Sequence, residues 1–269
     1  MDMKLPNCLT VAGSDSGGGA GIQADLKTFT TLGVYGMSVI TALTAQNGEE
    51  VRGIFSSSPE FVALQMETVF DGFPVHAAKT GMLFSKDIID VVAKHFAGKT
   101  FPLVVDPVCV SQSGYKLVEE DAVEAIRRDL IPLADLLTPN RPEAEELTGI
   151  QVRTKEDILR AGKALIDMGA SAVLIKGGHF DEKPIFITDW LFTRTEEPAA
   201  LRQPYVETSN NHGTGCTLSS AITAYLAKGL PLKPAVTNAQ EYLNYALRHS
   251  YAPGKGCGPV NHVSTMDRR

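Results

Sequence analysis

The chain has 269 residues, 43% hydrophobic and 21% charged, enough to bury the core of one large domain. Its formal net charge is −6 with no clustered run of Lys and Arg, which argues against a nucleic-acid or anionic-membrane surface and favours small-molecule ligands. No apolar stretch is long enough to span a bilayer, and Met1-Asp2-Met3-Lys4-Leu5-Pro6 lacks a signal-peptide layout, so a cytoplasmic protein is expected.

Short apolar, β-branched runs alternate with amphipathic stretches, the pattern of an α/β fold with a largely parallel central sheet in a single domain over 1–269. The first strand, 9–12, feeds Gly13-Ser14-Asp15-Ser16-Gly17-Gly18-Gly19-Ala20-Gly21, a run that lets backbone approach a ligand closely. A helix over 22–32 follows, with Gln23 and Asp25 near its start, where Asp25 could simply complement the dipole. The second strand, 38–43, leads to Ala45-Gln46-Asn47-Gly48. A turn explains Asn47 and Gly48, leaving Gln46 as the residue with surplus information, since an amide can read a donor and acceptor pattern on a heteroaromatic ring. After a helix over 59–70 come a strand at 77–79, a helix over 86–96 and a strand at 103–105 that ends in Asp106-Pro107. A helix over 119–130 precedes a strand at 136–138, which leads into Thr138-Pro139-Asn140-Arg141-Pro142-Glu143 and a helix over 141–148. A helix over 155–168 and a strand at 173–176 end in Lys176-Gly177-Gly178-His179. Residues 181–205 read as antiparallel strands at an edge. Two helices close the chain, over 216–228 and 235–250.

The first of those closing helices is entered through Asn211-His212-Gly213-Thr214-Gly215-Cys216-Thr217. Glycines at a helix start present unpaired N–H groups at the positive end of its dipole, which suits a phosphate or a developing oxyanion. In open α/β sheets ligands sit beyond the carboxyl ends of the strands, so Asp106, Asn140, Glu143 and Lys176 converge with this turn on one edge. Jointly they outline a site for Mg²⁺ and a triphosphate. Cys8, Cys109, Cys216 and Cys257 stand far apart without a C-x-x-C pair and read as reduced thiols.

Two rival motifs fail on context. Ala93-Lys94-His95-Phe96-Ala97-Gly98-Lys99-Thr100 matches a relaxed P-loop but runs from helix to strand, the reverse of the required order. Gly19-Ala20-Gly21-Ile22-Gln23-Ala24 matches a relaxed dinucleotide fingerprint, yet the second strand ends at Gln46 where an acid would hold a ribose.

The blocks 12–28, 41–47, 79–83, Asp106-Pro107-Val108, Thr138-Pro139-Asn140, 176–179 and 212–217 together resemble the hydroxymethylpyrimidine/phosphomethylpyrimidine kinases of thiamine biosynthesis, nearly end to end. The resemblance implies a ribokinase-like three-layer sandwich, ATP and Mg²⁺ as requirements, and a homodimer. It implies that Gln46 and the backbone at Thr44 bind the aminopyrimidine edge, with Gly13, Asp25, Met82 and Val108 or Val110 shaping the pocket. It places Asp106 and Glu143 near the metal and Asn140, Lys176, Thr214 and Gly215 toward the triphosphate. Gly213, Gly215, Lys176 and Cys216 then carry the transfer. Related sugar kinases look to have Asp where this chain has Cys216. A thiol at a helix N-terminus can have a lowered pKa and act as base; alternatively Cys216 only packs while the backbone N–H groups stabilise charge. The expected reaction is phosphorylation of 4-amino-5-hydroxymethyl-2-methylpyrimidine to its monophosphate and then the diphosphate. A pyridoxal or pyridoxine kinase, a non-catalytic pyrimidine-binding regulator, and a cysteine hydrolase using His212 and Cys216 remain as alternatives.

Overall fold

The computed structural model describes residues 5–108, 121–177 and 184–263. Nine strands, β1 (Asn7–Asp15), β2 (Tyr35–Gln46), β3 (Val51–Ser56), β4 (Ala77–Thr80), β5 (Leu103–Val105), β6 (Leu136–Leu137), β7 (Ala172–Ile175), β8 (Phe186–Thr193) and β9 (Ala199–Pro204), form one sheet in the order β3-β2-β1-β4-β5-β6-β7-β8-β9. The six strands from β2 to β7 pair in parallel, and β3, β8 and β9 extend the edges antiparallel. Because β1 lies between β2 and β4, the winding reverses there and opens a crevice at the carboxyl ends of both strands.

Side chains alternate across a strand, and this alternation divides the core into two layers. Leu9, Val11, Leu103, Val105, Leu137, Val173 and Ile175 pack under α2 (Pro59–Gly72), α3 (Lys86–Phe96), α4 (Ala122–Ala125), α5 (Arg141–Thr148) and α6 (Lys155–Asp167). Cys8, Val104, Leu136, Ala172 and Leu174 face α1 (Gly21–Thr31), α7 (Thr214–Ala227) and α8 (Leu232–Arg248). The result is the expected sandwich of helices, sheet and helices. Ser85 caps α3 by accepting from the Ile88 N–H, and Thr154 caps α6 by accepting from the Asp157 N–H, so both helices start where the sequence predicts.

Several boundaries differ from the sequence reading. β3, absent from that reading, pairs with β2 through the Asn47-Gly48 turn. The segment expected as one helix over 119–130 is α4 followed by a π-helical turn at Ile126–Leu130 and a 3₁₀ turn at Ile131–Leu133, while 119 and 120 lie outside the described residues. Pro132 lacks the N–H that an α-helix would need there. α8 starts before Pro234 because the first helical N–H groups have no intrahelical partner to lose. After α8 the chain crosses back over the carboxyl edge of the sheet. Cys257 N–H donates to the Gly48 carbonyl at 2.7 Å, His212 N–H donates to the Gly258 carbonyl at 3.1 Å, and His262 Nε2 lies 3.0 Å from Thr217 Oγ1. Among the described residues no helix is long and apolar enough to cross a membrane.

Candidate active site

A cavity of about 750 Å³ opens at the carboxyl ends of β1, β4, β5, β6 and β7 and at the start of α7. Gly213 is the N-cap of α7 with φ of 79°, in the left-handed region that favours glycine, and no side chain caps the helix. A methyl group on Gly213 would collide with the Gly19 carbonyl oxygen, so the two glycine-rich segments touch. α7 begins at Thr214, two residues earlier than the sequence reading, which puts Gly215 and Cys216 in the first turn, where N–H groups have no helical partner. The first turn carries no acidic side chain to occupy them.

Directly against this turn stands a buried ion pair. Lys176 Nζ lies 2.9 Å from Asp106 Oδ1, and a methyl group on Gly215 would sit 3.5 Å from that nitrogen and 3.8 Å from Asp106 Oδ2. Thr138 and Ser219 hydroxyls also donate to Asp106, at 3.1 and 3.2 Å. Burial alone would raise the Asp106 pKa, but the ammonium groups of Lys176 and Lys79 hold it below the ordinary value. Burial would lower the Lys176 pKa, and Asp106 and Glu143 reverse this and raise it. Both groups are therefore ionised near neutral pH.

Asn140 and Glu143 share a capping box at the start of α5. The Asn140 side-chain oxygen accepts from the Glu143 N–H at 2.9 Å, and Glu143 Oε2 accepts from the Asn140 N–H at 2.8 Å. Both line the cavity, as does Glu146, which the sequence reading missed although it lies three residues beyond Glu143 on the same helical face. Among the described residues no three His, Cys, Asp or Glu side chains gather into a metal site. Asp106 and Glu143 therefore do not form a cage. Such a donor set suits Mg²⁺, which keeps several waters and takes one or two carboxylates together with substrate phosphates.

Another part of the wall is apolar. Met82 and Val108 cluster with Ala42, Ile54 and Phe84. A methyl group on Gly13 would come within 2.5 Å of Met82 Cε, so glycine there leaves room for the methionine. Gln46 is the last residue of β2, and Thr44 lies beside it, its hydroxyl donating to the Ser14 carbonyl at 3.0 Å. His212 Nε2 stands 3.5 Å from Gln46 Nε2 and 2.9 Å from Asp15 Oδ2, a pairing not evident from the motif alone. Val110, Gly178 and His179 lie outside the described residues.

Two expectations need correcting. The Cys216 thiol is not acidified: burial pushes its pKa up to about 11, with Lys79 pulling the other way, so it is not a thiolate near neutral pH. Asp25 does not line the cavity but lies beneath it, fully buried. Its oxygens take Lys79 Nζ at 2.9 Å and the hydroxyls of Ser220 and Thr10, each at 2.6 Å. Lys79, a buried lysine in the short strand β4, reaches the cavity in its place. The P-loop match and the hydrolase alternative fall away as well. None of residues 93–100 lines the cavity, and no hydrogen bond among the described residues joins His212 to Cys216 as a hydrolase would require.

A mainly parallel sheet with an uncapped glycine turn over a Lys–Asp pair defines a ribokinase-like phosphotransferase acting on a small molecule. Residues 15–261 match the family profile described as phosphomethylpyrimidine kinase, and the chain belongs to that family. It is 46% identical to the hydroxymethylpyrimidine/phosphomethylpyrimidine kinase of Haemophilus influenzae, over 96% of this chain and 97% of that protein. It is 49% identical to the thiamine biosynthesis bifunctional protein ThiED of Geobacter sulfurreducens, covering 95% of this chain but only 52% of that longer protein. Among solved structures, the ADP complex of Bacillus subtilis pyridoxal kinase superposes with a TM-score of 0.88 at 36% identity, over 98% of this chain and 99% of that one. The chain is thus an ATP-dependent kinase.

Proposed function

We propose that the protein phosphorylates 4-amino-5-hydroxymethyl-2-methylpyrimidine and then its monophosphate, with Mg²⁺-bound ATP as donor, and that residues 1–269 act as one kinase domain. The carrying observation is that the uncapped Gly213–Cys216 turn rests on the Lys176–Asp106 pair while Gln46 faces the same cavity. The substrate hydroxyl oxygen bonds to the γ-phosphorus, the β–γ bridging oxygen leaves with ADP, and the hydroxyl proton is released. The N–H groups of Gly215 and Cys216 and the Lys176 ammonium meet the charge on the transferring group, and Asn140 and Thr214 hold the triphosphate. Asp106 and Glu143 would hold the metal ion, which when bound with ATP neutralises charge on the phosphate oxygens. Gln46 pairs with the ring nitrogen and amino group, flanked by the backbone of Thr44, with Gly13, Met82 and Val108 against the ring. In the loose transition state of phosphoryl transfer little base strength is needed, so Cys216 contributes its N–H and its bulk without a preformed thiolate.

A homodimer in the cytoplasm completes this reading. The exposed apolar side chains Phe55, Phe61 and Leu64 support self-association.

Pyridoxal is the second candidate acceptor, favoured by the close superposition on a pyridoxal kinase. ADP release measured with the purified protein, ATP and Mg²⁺ separates the two. Turnover on the aminopyrimidine alcohol should exceed that on pyridoxal by at least about tenfold, since a hydrogen-bonding site penalises a ring lacking its pattern. A preference for pyridoxal would overturn the substrate assignment, and ligand binding without ADP release would favour a regulator.

A further inference from the structure

Asp15, at the end of β1, has four donors aimed at its carboxylate. The N–H of Gly17 lies 2.8 Å from Oδ1, those of Gly19 and Ala20 lie 3.0 and 2.8 Å from Oδ2, and His212 Nε2 lies 2.9 Å from Oδ2. Burial pulls the Asp15 pKa upward, but the bonds from His212, Ala20 and Gly17 hold it below the ordinary value. An ionised carboxylate only accepts, so His212 Nε2 must carry the ring hydrogen. That nitrogen then has no lone pair to offer, yet the Gln46 NH₂ group faces it at 3.5 Å. Two donors opposed in this way repel. At the other end of the amide, Gln46 Oε1 lies 3.3 Å from Thr44 Oγ1, whose single hydrogen already goes to the Ser14 carbonyl at 3.0 Å. Turning the amide by half a rotation removes both conflicts. Its oxygen then takes a secondary share, at 3.5 Å, of the N–H that His212 gives to Asp15, and its NH₂ donates to the Thr44 hydroxyl. Oxygen and nitrogen of an amide are distinguished by such partners.

We propose that the Asp15–His212 pair is a specificity-determining device, which fixes the Gln46 amide with its oxygen toward the Gly213–Cys216 turn and its NH₂ toward Thr44. The inference rests on the aminopyrimidine reading of the cavity and adds a direction to it. In that substrate the amino group neighbours the carbon bearing the hydroxymethyl arm. The arm must reach the glycine turn for transfer, so the amino group lies on that side and meets the Gln46 oxygen. The ring nitrogen beyond it meets the NH₂. The opposite amide setting would face donor with donor and acceptor with acceptor. His212 and Asp15 thus act as positioning residues through Gln46.

The test is a ratio: kcat/KM for the aminopyrimidine alcohol divided by kcat/KM for its 4-oxo counterpart, in which an acceptor replaces the amino donor. Changes in ATP affinity or in the fraction of active enzyme cancel in this ratio. The parent should discriminate by about a thousandfold. His212→Phe removes the N–H that holds the amide and should cut the ratio at least about tenfold. His212→Gln, which can still donate to Asp15, should stay within about threefold of the parent. Asp15→Ala removes the acceptor that fixes the hydrogen on His212 Nε2, releases the amide to reverse, and should cut the ratio at least about tenfold. A ratio unchanged within about threefold in both His212→Phe and Asp15→Ala overturns the proposal. If His212→Phe does not fold, the contrast between His212→Gln and Asp15→Ala decides in the same way. A parent that releases no ADP with the aminopyrimidine overturns the proposed function instead, whereas an active parent with an insensitive device overturns only this inference.

Discussion

Lys79 and Asp25 are both shut off from solvent, so each is tolerable only in the presence of the other. Replacing Lys79 by Met leaves a buried carboxylate short of its cation and should destabilise the fold by about 3–5 kcal/mol in denaturant unfolding. The double substitution Lys79→Met, Asp25→Leu should recover most of that loss, and a double variant no more stable than the single one would contradict the account. Cys216 gives a second test. With its thiol pushed up to about 11, a serine of similar size should keep turnover within about tenfold of the parent. A fall beyond about a hundredfold with KM unchanged would restore the thiol as base. The placement of Gln46 and Lys176 on the cavity wall was legible from the sequence, because crevices in an open α/β sheet form at strand ends. The inner role of Asp25 was not legible, because the first turns of a helix can face a ligand or the core with the same residues. Lys79 did leave a signal, a lone charge in an otherwise small and apolar strand.

The anion-binding turn depends on how α7 begins. Gly213→Ala places a side chain at φ of 79° and drives a methyl group into the Gly19 carbonyl, so the two glycine segments must part. Separation misaligns the N–H groups of Gly215 and Cys216 and should lower kcat about 10²–10³-fold, the usual cost of losing an oxyanion donor. An alanine variant with parental kcat would show that the turn does not hold the transferring phosphoryl. Elements with visible caps were read to the residue: α3 behind Ser85 and α5 behind Asn140 match their expected spans. β3 escaped because it is short, interrupted by Gly53 and largely unburied, so it carries little hydrophobic period. The break after α4 escaped because the apolar spacing continues through Ile126, Leu130 and Ile131 while the hydrogen bonding changes beneath it.

The whole molecule should weaken in mild acid for an identifiable reason. Burial lowers the His262 pKa from 6.5 to about 4, so the unfolded chain takes up a proton that the folded one refuses. The stabilising contribution is complete above pH 6.5 and is lost as pH falls toward 4, amounting to on the order of 3 kcal/mol. Thermal melts of the parent should decline through that window more steeply than those of His262→Gln, and parallel acid limbs would remove His262 as the cause. The sheet order and both helical layers follow from the alternation of apolar strands and helices, which is why the architecture was readable when the glycine-rich tail was not. That tail is fastened to the turn after Gln46, to the backbone of His212 and to Thr217 on α7. It therefore clasps the end of β2 to the start of α7, two elements that the sheet order alone does not join.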